Sequence, residues 1–344
     1  MKQLTIWDYL QRLLLTIAVI GVFSILLLLA WAIVDALIAL FVGLLLAVIL
    51  RTLAKPIARY APIDERFSII VVIVLLLLIL AAGGWLFVPE IIEQTEIFIE
   101  QINQALIQIE EFLLQYTWGE FLLERFVQQD ITQLPVQDII PRLSDTFSLT
   151  LQTITNLVFI IFIGVFVAWN PNLYRSGFIK LIPPRGRKRT GEVIDAMVDG
   201  LRGWLLGQFI SMCIIGVLVG VGLSIIGIPL ALLLGIISGV LEFVPIIGSI
   251  VSAIPGILIA FSIGYTPAIY VAIFYLVVQQ IEGNVITPIV QRKTVSLPPA
   301  ITLSAIFIMG LLFGPLAVFI ATPLAAVLMI LIKMVYIEDV LHSS

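Results

Sequence analysis

Residues 228–261 read IPLALLLGIISGVLEFVPIIGSIVSAIPGILIAF, an apolar run interrupted near its middle by an acid and a proline. The segment it belongs to, 228–264, has a counterpart at 297–332, which begins LPPAITLSAIFIMGLLFGPLAVFIATPLAAVLMI. Each opens with an apolar-Pro pair, carries a Gly/Pro break in the middle and has a third proline at a matching point. Pro229, Pro245 and Pro255 of the first correspond to Pro298, Pro315 and Pro323 of the second. Proline lacks the amide hydrogen a helix needs, and paired broken segments in a membrane chain mark the substrate path of a secondary transporter. The fold expected is all-α: a polytopic membrane protein with two proline-broken helical hairpins of opposite orientation and an amphipathic helical external segment.

Composition supports the membrane reading. The 344 residues are 61% hydrophobic and 12% charged, with a mean hydropathy of +1.19; a soluble domain carries about 25% charged residues. Runs such as 69–88 and 205–226 are continuously apolar, long enough for spanning helices and without the alternation of an outer-membrane barrel. A net charge of -4 leaves no basic face for a nucleic acid. Cys213 is the single cysteine and lies in an apolar run, so it reads as inert packing, and His342 is the single histidine. No zinc or haem site can be assembled from these, and no cofactor is expected.

Basic residues in short loops mark the cytoplasmic side. The stretch 13–31 reads as a retained helix, Asp35 as a tight connection, and 36–50 as a return to a loop holding Arg51, Lys55, Arg59 and Arg66. Residues 69–88 cross outward. From Glu90 to Asp145 there are eleven acidic residues against only Arg125 and Arg142, so this stretch is external. The chain then crosses back at 153–169 to Arg175, Lys180, Arg185, Arg187, Lys188 and Arg189. The expected division is 1–89, N-terminal transmembrane helices; 90–152, external segment; 153–204, a transmembrane helix with a basic loop and an interfacial helix at Val193–Trp204. A transport core follows at 205–335 and a tail at 336–344, with both termini cytoplasmic in a bacterial plasma membrane. Each hairpin either spans fully or dips in and returns.

Within the external segment Ile91, Thr95, Phe98, Ile102, Ala105, Ile109, Leu113 and Tyr116 form a coiled-coil-like seam. It either packs on its own second half (Ile131, Leu134, Ile139, Leu143, Phe147) or joins subunits of a homo-oligomer. Gly216, Gly220 and Gly222 allow close helix approach.

Chemistry has to come from polar groups at membrane depth. Glu242 lies three residues before Pro245, which as a helical proline pushes away the carbonyl of Leu241 beside the glutamate. A carboxylate beside a freed carbonyl reads either as a proton or monovalent-cation site or as an acid held in packing. Gln279, Gln280, Glu282, Asn284 and Thr287 end at Pro288, which would likewise free the Asn284 carbonyl; they read as pathway lining or as a polar helix end. The absence of a GxxxxGK[ST] loop removes ATP hydrolysis from the expectation, and no catalytic constellation is present, so the chain is not read as an enzyme. The alternative to a transporter is an assembly factor anchored in the membrane and acting through its external helices.

The stretches from Gly207 to Ala260 and from Gln279 to Leu328 resemble the core of the autoinducer-2 exporter (AI-2E) family of bacterial membrane transporters. The resemblance is carried by Pro245 and Gly248, by Glu282, Gly283, Asn284, Thr287 and Pro288, by Leu297 and Pro298, and by Phe313, Gly314, Pro315 with Ala321, Thr322, Pro323. It implies a multi-pass plasma-membrane carrier that exports a small hydrophilic signal of the autoinducer-2 kind or exchanges a monovalent cation for protons. Many relatives carry an uncharged polar residue where this chain has Glu242. The pathway residues it implies, beside the acids and polar groups above, are Pro245, Gly248, Pro288, Gly314, Pro315 and Pro323. The partners expected are membrane lipid, a small-molecule or ion substrate and further copies of the chain.

Overall fold

The computed structural model describes residues 6–60, 64–115, 151–291 and 297–341. Everything regular among them is helical. Helices α1 (Ile6–Tyr60) and α2 (Glu65–Leu114) are followed by α3 (Leu151–Trp169), α4 (Pro171–Lys180) and α5 (Arg187–Ile226). The first hairpin is α6 (Ala231–Leu241) with α7 (Ile247–Ile263). Helix α8 (Tyr265–Ile281) runs through a π-helical segment, Glu282–Ile286, into the short α9 (Thr287–Gln291). The second hairpin is α10 (Pro299–Phe313) with α11 (Pro315–Leu331), and a π-helical segment, Ile332–Leu341, ends the described chain. Among the described residues five helices are long and apolar enough to cross a membrane, or six when the bent pair α3 and α4 counts as one span. Leu80, Phe162, Val217, Leu276 and Phe307 are among many large apolar side chains that face outward, as lipid-facing surfaces require and soluble ones avoid.

Three expectations are corrected. Asp35 does not mark a connection: α1 is continuous over 55 residues, because no glycine or proline stands between Gly21 and Gly43 to stop it. The turn on which the N-terminal orientation rested is therefore gone. Helix α2 runs through Pro89, so the amphipathic stretch continues the helix that precedes it. Val193–Trp204 is not a separate interfacial helix but part of the 40-residue α5; the element that turns by 89° from its spanning neighbour is α4. Finally, Cys213 is exposed on the outer face of α5 instead of packed.

The amphipathic seam also finds a use inside the chain. Ile102 and Ala105 are buried, and Ile102 and Phe98 join a cluster that includes Ile259 and Ala260 of α7. Gln108 Nε2 donates to the Ser262 carbonyl at 3.2 Å, and the Phe112 ring lies 4.9 Å from Tyr265. The second half of the expected seam, from Ile131 to Phe147, lies outside the described residues, as does His342.

The first limb of the first hairpin is short. Eleven residues of α6 rise about 16 Å, roughly half of a hydrocarbon core near 30 Å thick. It lies against α5 at small residues. A β-carbon on Gly235 would stand 2.7 Å from Gly220 Cα, and one on Gly239 3.1 Å from Gly216 Cα, so only glycine permits this approach. Gly222, by contrast, makes room for the Phe274 ring of α8.

Candidate functional site

The break between α6 and α7 is built from strained and tightly packed backbone. After α6 ends at Leu241, Val244 N–H donates to the Leu241 carbonyl at 3.0 Å, and Ile247 N–H donates back to the Pro245 carbonyl at 2.8 Å. The second bond closes a γ-turn whose central residue, Ile246, sits at φ 71°, ψ −55°. A β-branched residue there is an outlier that persists only where its surroundings enforce it. The Leu241 carbonyl is thus not freed by Pro245; the helix has stopped before the proline could act on it. Gly248 is needed at this corner, because a β-carbon would fall 2.0 Å from that same carbonyl oxygen.

This tip meets the second hairpin. Val244 packs with Ile306 of α10 and Ala321 of α11, while Phe243 bridges Trp204 of α5 and Phe319 of α11 at ring separations of 5.8 and 6.2 Å. Beside the contact lies a cavity of about 170 Å³ whose lining includes Gln208, Ser211, Glu242, Glu282, Thr302 and Thr322. Trp204, Pro245, Ile246, Thr287, Leu297 and Pro299 complete much of its wall. Helices from both hairpins, α5 and the end of α8 therefore share one chamber.

The acids are the centre of that chamber. Glu242 is 1% exposed and Glu282 7%. The Ser249 hydroxyl, on the first turn of α7, stands 2.9 Å from Glu242 Oε2 and 2.6 Å from Glu282 Oε2. Gln208 Nε2 donates to the backbone carbonyl of Glu242 across the α5–α6 contact. Thr322, 3% exposed, lines the cavity with a hydroxyl that has no hydrogen-bond partner. Among the described residues, no lysine, arginine or histidine is in the lining.

Of the residues singled out in the sequence, Glu242, Pro245, Glu282 and Thr287 come together here. Gly248 shapes the tip, Pro323 is buried one residue beyond Thr322, and Gly314 makes the turn of the second hairpin at φ 80°. Pro315 opens α11 next to it. Gln279, Gln280, Asn284 and Pro288 are not brought into the chamber. Asn284 is exposed and donates to the carbonyl and side-chain oxygen of Gln280, both at 3.0 Å. The unwinding expected at Gly283 takes the form of the π-helical segment, which turns Glu282 inward and leaves Asn284 outside. Gln208, Ser211, Ser249, Thr302 and Thr322 were not anticipated. Their signal was weak, being polar residues within apolar runs that also satisfy themselves by ordinary helix packing.

Two broken hairpins that meet tip to wall, in a helical bundle whose outer surface is apolar, define a polytopic membrane protein. The chain belongs to the AI-2E transporter family: residues 15–337 match the family described as "AI-2E family transporter". Among curated proteins it is similar to YrrI of Bacillus subtilis, 31% identical over 151 residues, which are 44% of this chain and 43% of that one. It is also similar to YueF of the same organism, 24% identical over 237 residues (67% and 64%), and to YhhT of Escherichia coli K12, 23% identical over 249 residues (69% and 66%). All three are named as candidate transport proteins. The chain matches less than half the length of YrrI and about two thirds of YueF and YhhT.

Proposed function

We propose that the chain is a proton-coupled secondary transporter, with Glu242 as the proton carrier and the chamber between the hairpins as the substrate site. One observation carries this reading: a buried pair of acids in a chamber shared by both broken hairpins, with no cationic side chain among the described residues of its lining. An ionised acid in such surroundings is costly unless a proton or a cation neutralises it. Loading and unloading of the chamber are therefore tied to the occupancy of the acids. A lining whose charged side chains, among the described residues, are all acidic attracts cations and repels anions, which favours exchange of a monovalent cation for protons.

Export of a small polyhydroxylated signal of the autoinducer-2 kind is the second reading. It is favoured by the hydroxyls of Ser211, Thr302 and Thr322 and the nearby Gln208 amide, groups suited to a neutral polyol. In either case the hairpins enter from opposite faces, and the basic loop around Arg185 and Lys188 lies in the cytoplasm.

The test is flux in reconstituted vesicles carrying a pH-sensitive dye. Glu242→Gln is expected to abolish substrate-driven proton movement, because the amide holds no exchangeable acid proton. Proton movement at the wild-type rate in that variant sinks the reading.

A further inference from the structure

We propose that Ser249 joins Glu242 and Glu282 into a unit that holds one shared proton. The inference deepens the coupled-transport reading and rests on it for its consequence, but the proton count can be measured without transport.

The argument is hydrogen arithmetic. A serine hydroxyl has one hydrogen to donate, and an ionised carboxylate only accepts. Ser249 Oγ nonetheless stands 2.9 Å from Glu242 Oε2 and 2.6 Å from Glu282 Oε2. With both acids ionised, one of these contacts would be oxygen against oxygen with nothing between. Two contacts take two hydrogens; the hydroxyl supplies one, so the carboxyls supply one. One acid donates to Oγ while Ser249 donates to the other, and the roles can exchange by a concerted shift of both protons.

Among the described residues, the only charged side chains lining the cavity are the two acids. The elements packed around it present Trp204, Gln208 and Ser211 from α5, Thr287 from α9, Thr302 from α10 and Thr322 from α11. Tyr275, two turns before Glu282 on α8, lies with its ring against Gly256. Arg202 of α5 is not among the cavity residues. The unit therefore carries a net charge of about −1 with its proton in place. When the carboxyl O–H proton leaves to water in the chamber and one monovalent cation enters between the carboxylates, the charge is again −1. Exchange is then one for one and electroneutral.

Infrared difference spectroscopy on the full chain in detergent counts buried protonated carboxyls directly. The wild type is expected to show the band of one. Glu242→Gln and Glu282→Gln are each expected to remove all of it, since the remaining acid accepts from Ser249 without a proton. Ser249→Ala should move the pH at which the band is lost, and Ser249→Thr should restore the wild-type profile. No band in the wild type, a half-amplitude band in each Gln variant, or a Ser249→Ala profile equal to the wild type overturns the proposal.

Proton release on adding Na⁺ or K⁺, read with an indicator dye, is expected at one per protein; a count of two also overturns it. If neither ion releases protons and vesicles show no proton flux while the band behaves as described, the shared-proton unit stands and the coupled-transport reading fails.

Discussion

At the scale of single residues the informative contrast is between the acids and the hydroxyls. Thr322 is buried with its Oγ1 unpartnered on the wall of the chamber, and a buried polar group without a partner costs about 1–3 kcal/mol. Thr322→Val keeps the shape and removes that cost, so thermal unfolding in detergent should show stability unchanged or raised by about 1 kcal/mol. If the hydroxyl serves substrate, the same variant should raise the substrate concentration needed for half-maximal transport. Loss of stability with unaltered transport would place Thr322 in the scaffold. The two acids were legible in the sequence because charge is rare and expensive in an apolar run. Ser249, Gln208 and Thr322 were not, because serine, threonine and glutamine also occur in membrane helices as plain packing. The closing contact, Ser249 to Glu282, spans 33 positions, so only the folded arrangement brings it into view.

At the scale of elements, the hairpins are held by what they lack. Gly235→Ala would place a β-carbon 2.7 Å from the Gly220 backbone, where neither helix has a flexible side chain to yield. Separating α5 from α6 is expected to cost about 1–3 kcal/mol and to lower the midpoint of thermal unfolding. Gly83→Ala in α2 meets nothing within 4 Å and should leave stability equal or slightly higher, since alanine is the better helix former. Equal losses from both would mean that the α5–α6 glycines are not a contact surface. The prolines correctly announced where the hairpins break, and the glycines of α5 announced their own partner face. The local consequence drawn from Pro245 was wrong in kind. A rule for proline inside a helix does not apply once the helix has ended, and here the chain turns through Ile246 instead. The π-helical segment was foreseen only as easy unwinding near Gly283, since periodicity over five residues does not distinguish π from α.

At the scale of the whole molecule, charge patterning overstated the punctuation of the chain. Asp35 looked like a boundary and lies inside a continuous helix, because one unfavourable residue does not outweigh the propensity of its neighbours. Basic residues read as orientation signals also turn out to be structural ties. Arg175 forms a two-pronged bond to Asp195 at 2.8 and 2.6 Å. Arg189, at the start of α5, reaches the tail: Nε donates to Asp339 at 2.9 Å, and Nη2 to Glu338 at 2.9 Å and to the Met334 carbonyl at 3.0 Å. Those bonds, Asp339 first and then Glu338, hold the Arg189 guanidinium above its ordinary pKa. The group is exposed, so the tie should matter for the placement of the tail and little for global stability. Arg189→Gln is expected to raise amide hydrogen exchange across Ile332–Leu341 while leaving the unfolding midpoint nearly unchanged. High salt should produce the same pattern in the wild type, because screening near 1 M shortens the reach of charge to about 3 Å. A tail equally protected in the variant and in the wild type at every salt concentration would show that helix packing, not Arg189, holds it against α5.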